Sequence, residues 1–275
     1  MKILSLSSSV AHGHVGNSAL TLPLQRLGFT LTTVNTVQFS NHPGHGVFGG
    51  DVFAADHVAG IIDGLGHAGF LGGHDGIVSG YLGDAANAGP LLQAVHANPG
   101  AVFLCDPVMG DQGRSYVRPG IAQMLSGPIL EAAQIVTPNI FELESLSGQS
   151  AASLDQAITA ARSLLARGPR LVVVTSLEVG DSMACAGVTN DGAWLVTTPR
   201  LDFTHPLNGA GDLLAGLLLA ESLTHGGAPD LLAAAMSRLF AVLDITHRLG
   251  QRELALVAAQ DAVISPPQWF GSQPY

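Results

Sequence analysis

The sequence predicts an α/β fold built on a mostly parallel sheet. Strand-length apolar runs recur along the whole chain, and segments with helical apolar spacing separate them. Several of the runs also end in polar punctuation rather than in a hairpin turn.

The elements follow in order. "KILSLSS" (Lys2–Ser8) reads as the first strand, and Asn17–Leu27 as a helix. "TLTTVNTVQF" (Thr30–Phe39) alternates as a half-buried strand does, and Asp51–Gly66 has helical spacing. "GIVSGYL" (Gly76–Leu82) is a further strand. The apolar run "AVFLCDPVM" (Ala101–Met109) ends in Asp-Pro, and "AQIVTPN" (Ala133–Asn139) and "RLVVVTS" (Arg170–Ser176) repeat its form. "MACAGVT" and "AWLVTTP" flank Asn190-Asp191-Gly192, which is the turn chemistry of a β-hairpin. Helices are predicted over Gly211–Leu223, Asp230–Leu249 and Arg252–Ile264. No Pro/Ser-rich linker, composition shift or internal repeat divides the chain, so residues 1–275 are expected to form one domain, with a few strands projecting as a small lid.

Composition excludes several function classes. Net charge is −10, the charged fraction is 12 %, and Lys2 is the only lysine. With no basic run, binding to nucleic acid or to an anionic membrane surface is not expected. A P-loop and an interior Schiff-base lysine are both ruled out. Any phosphate must therefore be met by helix N-termini, backbone N–H groups, a metal ion or arginines. Cys105 and Cys185 give neither a disulfide framework nor a CxxC zinc signature. "MKILSLSSSV" makes a poor signal peptide, and no apolar run approaches the ~20 residues of a membrane span. A cytoplasmic protein is the expectation. The eleven histidines include the close pairs His12/His14 and His42/His45, but HExxH and G-x-S-x-G do not occur.

In open α/β sheets ligands lie beyond the carboxyl ends of the strands. Polar residues gather at such ends here: Ser7–Ser9, Asp106, Asn139, and Thr175 with Ser176. Three clusters carry candidate chemistry, each with a structural alternative. In "HPLNGAGDLLAGLLLAE", Gly209 and Gly211 let the backbone approach an anion at a helix N-terminus, and Asp212 is placed to accept a proton. The alternative is a helix cap on a glycine turn. In "TPNIFELESLSG", Asn139 and Glu142 share a face at a helix start, suited either to a hydrated Mg²⁺ or to a capping box. In "CDPVMGDQGRSYV", Asp106 and Asp111 flank a Gly-rich turn that reads equally as a solvated loop.

These motifs, in their order, resemble a known family. "SSVAHGHVGNSA", "NTVQFSNH", "SGYLG", "CDPVMGD", "TPNIFELE" and "NGAGDLLAGLLLAE" are similar to the motifs of pyridoxal kinases in the ribokinase-like superfamily. The ending "ELALVAAQDAVISPPQWF" resembles the bacterial pyridoxal kinase group. The resemblance covers essentially the whole chain. It implies a ribokinase-like fold, with helices on both faces of the central sheet, and a homodimer. The implied reaction is MgATP-dependent phosphorylation of the 5′-hydroxymethyl group of pyridoxal, and often of pyridoxine or pyridoxamine, with Mg²⁺ and a monovalent cation such as K⁺ as cofactors.

By match to the family motifs, Asp212 is the implied general base, and Gly209, Ala210 and Gly211 form the anion hole. Ser8, Pro43, Gly44 and Tyr81 fall at substrate positions. Asp106, Asp111, Thr137, Glu142, Thr175, Ser176 and Asn208 fall on the nucleotide side, with Asp106 and Glu142 toward the metal. The chain departs from the pattern at Pro43, where a threonine is usual, and at Thr175, where many bacterial relatives carry lysine. Asn208 is also unusual, and the connection between "VTSLEVG" and "MACAGVT" is short. The rival readings are a hydroxymethylpyrimidine kinase of the same superfamily and a non-catalytic vitamer-binding protein. A nicotinamide-dependent dehydrogenase is disfavoured because G-x-G-x-x-G does not follow the first strand.

Overall fold

A computed structural model describes residues 1–111, 113–225 and 227–275. The strands are β1 (Lys2–Val10), β2 (Thr30–Phe39), β3 (Gly50–Val52), β4 (Gly76–Ser79), β5 (Val102–Cys105), β6 (Gly110–Asp111), β7 (Arg114–Ser115), β8 (Ile135–Val136), β9 (Leu171–Val179), β10 (Ser182–Val188), β11 (Ala193–Pro199) and β12 (Gln273–Pro274). The helices are α1 (Asn17–Arg26), α2 (Ala55–His67), α3 (Ala88–His96), α4 (Ile121–Met124), α5 (Leu130–Ala132), α6 (Ile140–Ser147), α7 (Leu154–Leu165), α8 (Ala210–Thr224), α9 (Ala228–Arg248) and α10 (Gln260–Ile264).

Ten strands form one sheet in the order β12-β11-β10-β9-β8-β5-β4-β1-β2-β3. From β9 to β2 every pairing is parallel, and both edges are antiparallel. The parallel strands are apolar on both faces because helices cover both. Leu4, Leu6, Ile77, Phe103, Cys105, Val172 and Val174 pack on the side of α2, α3, α6 and α7. Ile3, Val78, Leu104, Leu171 and Val173 point the other way, onto α1, α8, α9 and α10. The period-2 alternation therefore feeds two cores. Helix α8 is buried continuously from Leu213 to Glu221, which explains why its sequence is apolar all round.

Three sequence expectations are corrected. The segment predicted as helical from Asp51 begins as strand β3, which pairs with the end of β2, and the helix starts at Ala55. A Cβ at Gly50 would sit 2.1 Å from the Gln38 carbonyl, so local backbone pairing overrides the helical spacing. The predicted helix Arg252–Ile264 exists only over Gln260–Ile264. Leu254, Ala255 and Leu256 are buried in succession, which one helix face does not do, and the Ala255 N–H is held by Thr246 Oγ1 at 2.9 Å. The strand predicted over Ala133–Asn139 shortens to β8, whereas Arg170–Ser176 lengthens into β9. The Asn190–Gly192 hairpin forms as expected between β10 and β11. The short connection after β9 is a two-residue turn at Gly180 and Asp181, with Gly180 at φ 57°. The two-stranded β6–β7 hairpin lies outside the main sheet. Among the described residues no helix is long and apolar enough to cross a membrane.

Candidate active site

The site lies beyond the carboxyl ends of the parallel strands, where adjacent strand ends and one helix N-terminus meet. Helix α8 starts at Ala210 behind Gly209, which holds a left-handed conformation at φ 86°. A Cβ there would lie 1.9 Å from the His14 carbonyl oxygen, so only glycine fits. Gly211 has open space before it. No side chain caps α8, so the N–H groups of Ala210, Gly211 and Asp212 point out of the first turn, as helix geometry requires. The helix-cap reading of Asp212 is thereby corrected: its carboxylate faces the strand ends instead.

The surroundings of Asp212 come from β1, β4 and the loop after β1. The Gly16 N–H supports its carboxylate, while burial, the larger effect, pushes its pKa up to about 6. A Cβ at Gly80 would sit 2.4 Å from Ser7 Oγ and 3.5 Å from Asp212 Oδ1. Glycine after β4 therefore opens the room in which these two groups lie. Ser7 is buried and among the described residues its hydroxyl has no hydrogen-bond partner, an orphan of the kind that marks a ligand position. Ser8 is adjacent, because a Cβ on Gly16 would meet Ser8 Oγ at 2.4 Å. Gly16 sits at φ 53°.

Two more carboxylates converge from neighbouring elements. Asp106, at the end of β5, is buried, with its N–H bonded to the Ser79 carbonyl at 2.8 Å. Burial first, then the charges of Glu142 and Asp212, hold its carboxyl well above the usual range. Thr137 Oγ1 donates to Asp106 Oδ1 at 3.1 Å and opposes that shift. Asp106 is thus no solvated loop residue. Glu142 forms a capping box with Asn139 at the start of α6. Its Oε2 accepts from Asn139 N at 3.0 Å and its Oε1 from Met109 N at 3.0 Å. Burial raises its pKa and these backbone donors lower it. Among the described residues, Asp106, Glu142 and Asp212 form no ion pair with a basic side chain.

The other predicted residues fall around this centre. Asp111 is exposed on the β6–β7 hairpin, near enough to raise Glu142 electrostatically. Thr175 N donates to the Pro138 carbonyl at 2.9 Å, tying β9 to the end of β8. Ser176 has φ 58°, the one positive φ among the described non-glycine residues. It stands at a break in the β9–β10 register. That bulge is the kind of backbone strain that gathers at ligand sites. Tyr81 follows β4, and its carbonyl accepts from Thr36 Oγ1 at 2.6 Å. Pro43 and Gly44 sit on a single helical turn, Pro43–His45. A Cβ at Gly44 would lie 3.6 Å from Asn208 Nδ2, so this flap approaches the residue just before the Gly209 turn.

Ser7 was marked only as strand-end punctuation, and Gly16, Gly80 and Tyr116 escape reasoning from the sequence. Tyr116 exposes much of its surface, yet burial of the phenol, then Glu142, Asp106, Asp111 and Asp212, raise its pKa. The signals were the triple serine, the glycine of "SGYLG" and the tyrosine of "GRSYV". None distinguishes itself from turn chemistry until the strand ends are brought together.

Residues 74–251 match the family model described as phosphomethylpyrimidine kinase. The chain is 46 % identical over 280 residues to the pyridoxal kinase PdxY of Rubrobacter xylanophilus, covering 98 % of this chain and 96 % of the relative. It is 44 % identical over 284 residues to the pyridoxal kinase PdxY of Deinococcus radiodurans, covering 98 % and 95 %. The pyridoxal kinase of Leishmania donovani, solved with ADP and pyridoxamine, superposes with a TM-score of 0.91 at 28 % identity, over 100 % of this chain and 99 % of that one. The chain belongs to the pyridoxal kinase family.

Proposed function

We propose that this chain transfers the γ-phosphoryl group of ATP to the 5′-hydroxymethyl group of pyridoxal, giving pyridoxal 5′-phosphate. The observation that carries the reading is Asp212, a carboxylate with a pKa near 6 placed in the first turn of α8, beside uncapped N–H groups and the orphaned Ser7 hydroxyl. A base poised just below neutral pH accepts a proton from an attacking alcohol efficiently. As the hydroxyl oxygen attacks the γ-phosphorus and the bond to the ADP oxygen breaks, the alcohol proton passes to Asp212. The N–H groups of Gly209, Ala210 and Gly211 and the α8 dipole stabilise the charge on the transferring group. Ser8 and Tyr81, with the Pro43–Gly44 flap, bound the vitamer side. Asp106, Asp111, Thr137, Thr175, Ser176 and Asn208 bound the nucleotide side.

The acidic cluster suits Mg²⁺, because Asp106 is buried against two other carboxylates with no basic side chain to offset them. Among the described residues no three His, Cys, Asp or Glu side chains could hold a metal by themselves. Asp106 is the residue to hold the ion directly. Glu142, with its oxygens occupied by backbone donors, acts through water. When bound, Mg²⁺ neutralises phosphate charge during transfer. The one-domain reading is supported by the single sheet that spans Lys2 to Pro274. The low charged fraction favours a homodimer, which light scattering on the purified protein tests.

Pyridoxine and pyridoxamine are read as further substrates, since solved structures of the Leishmania donovani relative contain them. Hydroxymethylpyrimidine is a second reading favoured by the matched family model. A coupled assay with MgATP across the three vitamers and hydroxymethylpyrimidine decides between them. Pyridoxal is expected to give the phosphate ester with the highest kcat/KM. Binding of pyridoxal without ester formation would leave a non-catalytic vitamer-binding protein.

A further inference from the structure

The histidines near the flap and the chain's closing segment form a cluster that the mechanism above does not use. Glu253 lies between the flap and the loop after β1. Its Oε2 accepts the His14 N–H at 3.2 Å, and its Oε1 is 2.8 Å from His45 Nε2. Both side chains are largely shielded, at 14 % exposure for His45 and 16 % for Glu253. Among the described residues neither Oε1 nor Nε2 has an aligned hydrogen bond, and the two groups meet as a close polar contact. His42 also faces the pair, and its pKa is lowered by burial, then by His45, with Glu253 opposing.

Each end of this contact leads to the site. His14 carries the carbonyl that packs on Gly209, and Gly13, at φ 95°, leaves the room Glu253 occupies, since a Cβ there would lie 2.2 Å from Oε2. His45 closes the turn whose Gly44 approaches Asn208. Glu253 itself stands on a fixed post: Leu254 and Leu256 are buried, Leu254 packs toward Gly209, and Thr246 holds the Ala255 N–H.

We propose that Glu253 is a positioning residue whose carboxylate ties the His42–Gly46 flap to the loop around His14, holding Pro43 and Gly44 against Asn208 at the mouth of the anion loop. The inference rests on the pyridoxal kinase reading and extends it by assigning the flap's resting position to the polar contact between His45 and Glu253. Pro43 and Gly44 fall on the vitamer side and Asn208, which they approach, on the nucleotide side, so loss of the contact is expected to weaken vitamer binding more than ATP binding.

Steady-state kinetics of His45→Ala, Glu253→Gln, the double variant and Glu253→Ala test this. His45→Ala and Glu253→Gln are each expected to raise the KM for pyridoxal by about 5–10-fold, the scale of one partly buried polar contact. The KM for ATP and kcat stay within about twofold of the wild type. Glu253→Gln keeps an amide oxygen for His14 N, so the double variant is expected to match the worse single variant, because both substitutions remove one shared contact. Glu253→Ala also strips the His14 acceptor and lowers kcat. Circular dichroism separates these effects from misfolding, and if Glu253→Ala does not fold, the other three variants still decide. A wild-type pyridoxal KM in folded His45→Ala, or additive losses in the double variant, overturns the assignment of Glu253. A wild-type protein that phosphorylates no vitamer overturns the parent reading instead.

Discussion

Two helix N-termini face the same site and use an acidic residue at their third position in opposite ways. At α6, Glu142 and Asn139 satisfy each other in a reciprocal box, and Met109 N takes the remaining carboxylate oxygen. At α8, Gly209 turns the chain in a left-handed conformation, no side chain caps the helix, and Asp212 is left to chemistry. One carboxylate is spent on local structure, and the other is kept half-buried and half-satisfied with a pKa near 6. What separates a structural acid from a catalytic one here is how many backbone donors reach it.

The largest expected effect falls on Asp212. Asp212→Asn is expected to lower kcat by roughly 10²–10⁴-fold, the range for removing a general base. The same change is expected to stabilise the fold. The raised pKa means that the folded state holds a proton which the unfolded state releases. Stability from this group is therefore fully present below about pH 4 and lost as pH rises through about 6. At neutral pH the ionised buried carboxylate costs ~1–2 kcal/mol after allowance for its partial exposure. Kinetics and thermal melts of one preparation check both halves. An inactive variant with a lower Tm than wild type breaks the contrast between the two helix starts.

Next in size is the pH dependence. The acid limb of kcat is expected to fall about tenfold per unit below the Asp212 pKa, near pH 6. A rate profile with saturating ATP and pyridoxal measures it, and a flat profile from pH 5 to 8 would remove Asp212 as the base. Gly209→Ala is expected to cost at least ~2 kcal/mol of stability, because a Cβ collides with the His14 carbonyl in a conformation costly for any L side chain. Urea unfolding reads that loss. The smallest effect belongs to the capped helix. Asn139→Ala is expected to cost about 1 kcal/mol by removing one cap, with a far smaller change in kcat than Asp212→Asn. Equal kinetic losses at Asn139 and Asp212 would erase the distinction.

Much of the site was legible because its residues sit at strand ends with a recognisable order. Asp106 and Asn139 were marked as polar strand ends, Glu142 and Asp212 by their spacing at helix starts, and Thr137 by the family resemblance. Asn139 and Glu142 read as both cap and metal residue, and the structure shows how complete the cap is. The strain at Ser176 could not be read, because positive φ in a serine depends on the register break opposite it. Nor could the role of Gly80, whose missing Cβ matters only because Ser7 and Asp212 come from distant parts of the chain.

Sequence alone determined the alternating strands and helices and the lack of a P-loop lysine, and therefore that helix N-termini, backbone N–H groups, a metal ion or arginines must meet any phosphate. Those are local properties: periodicity, turn chemistry and the inventory of charges. Only the tertiary structure decided that Asp212 faces inward instead of capping its helix, that Glu142 is occupied by backbone donors, and that Glu253, more than 200 residues from His14 and His45, joins them. Hydrogen-bond satisfaction and desolvation are set by neighbours from other elements, and the order of residues along the chain does not specify them.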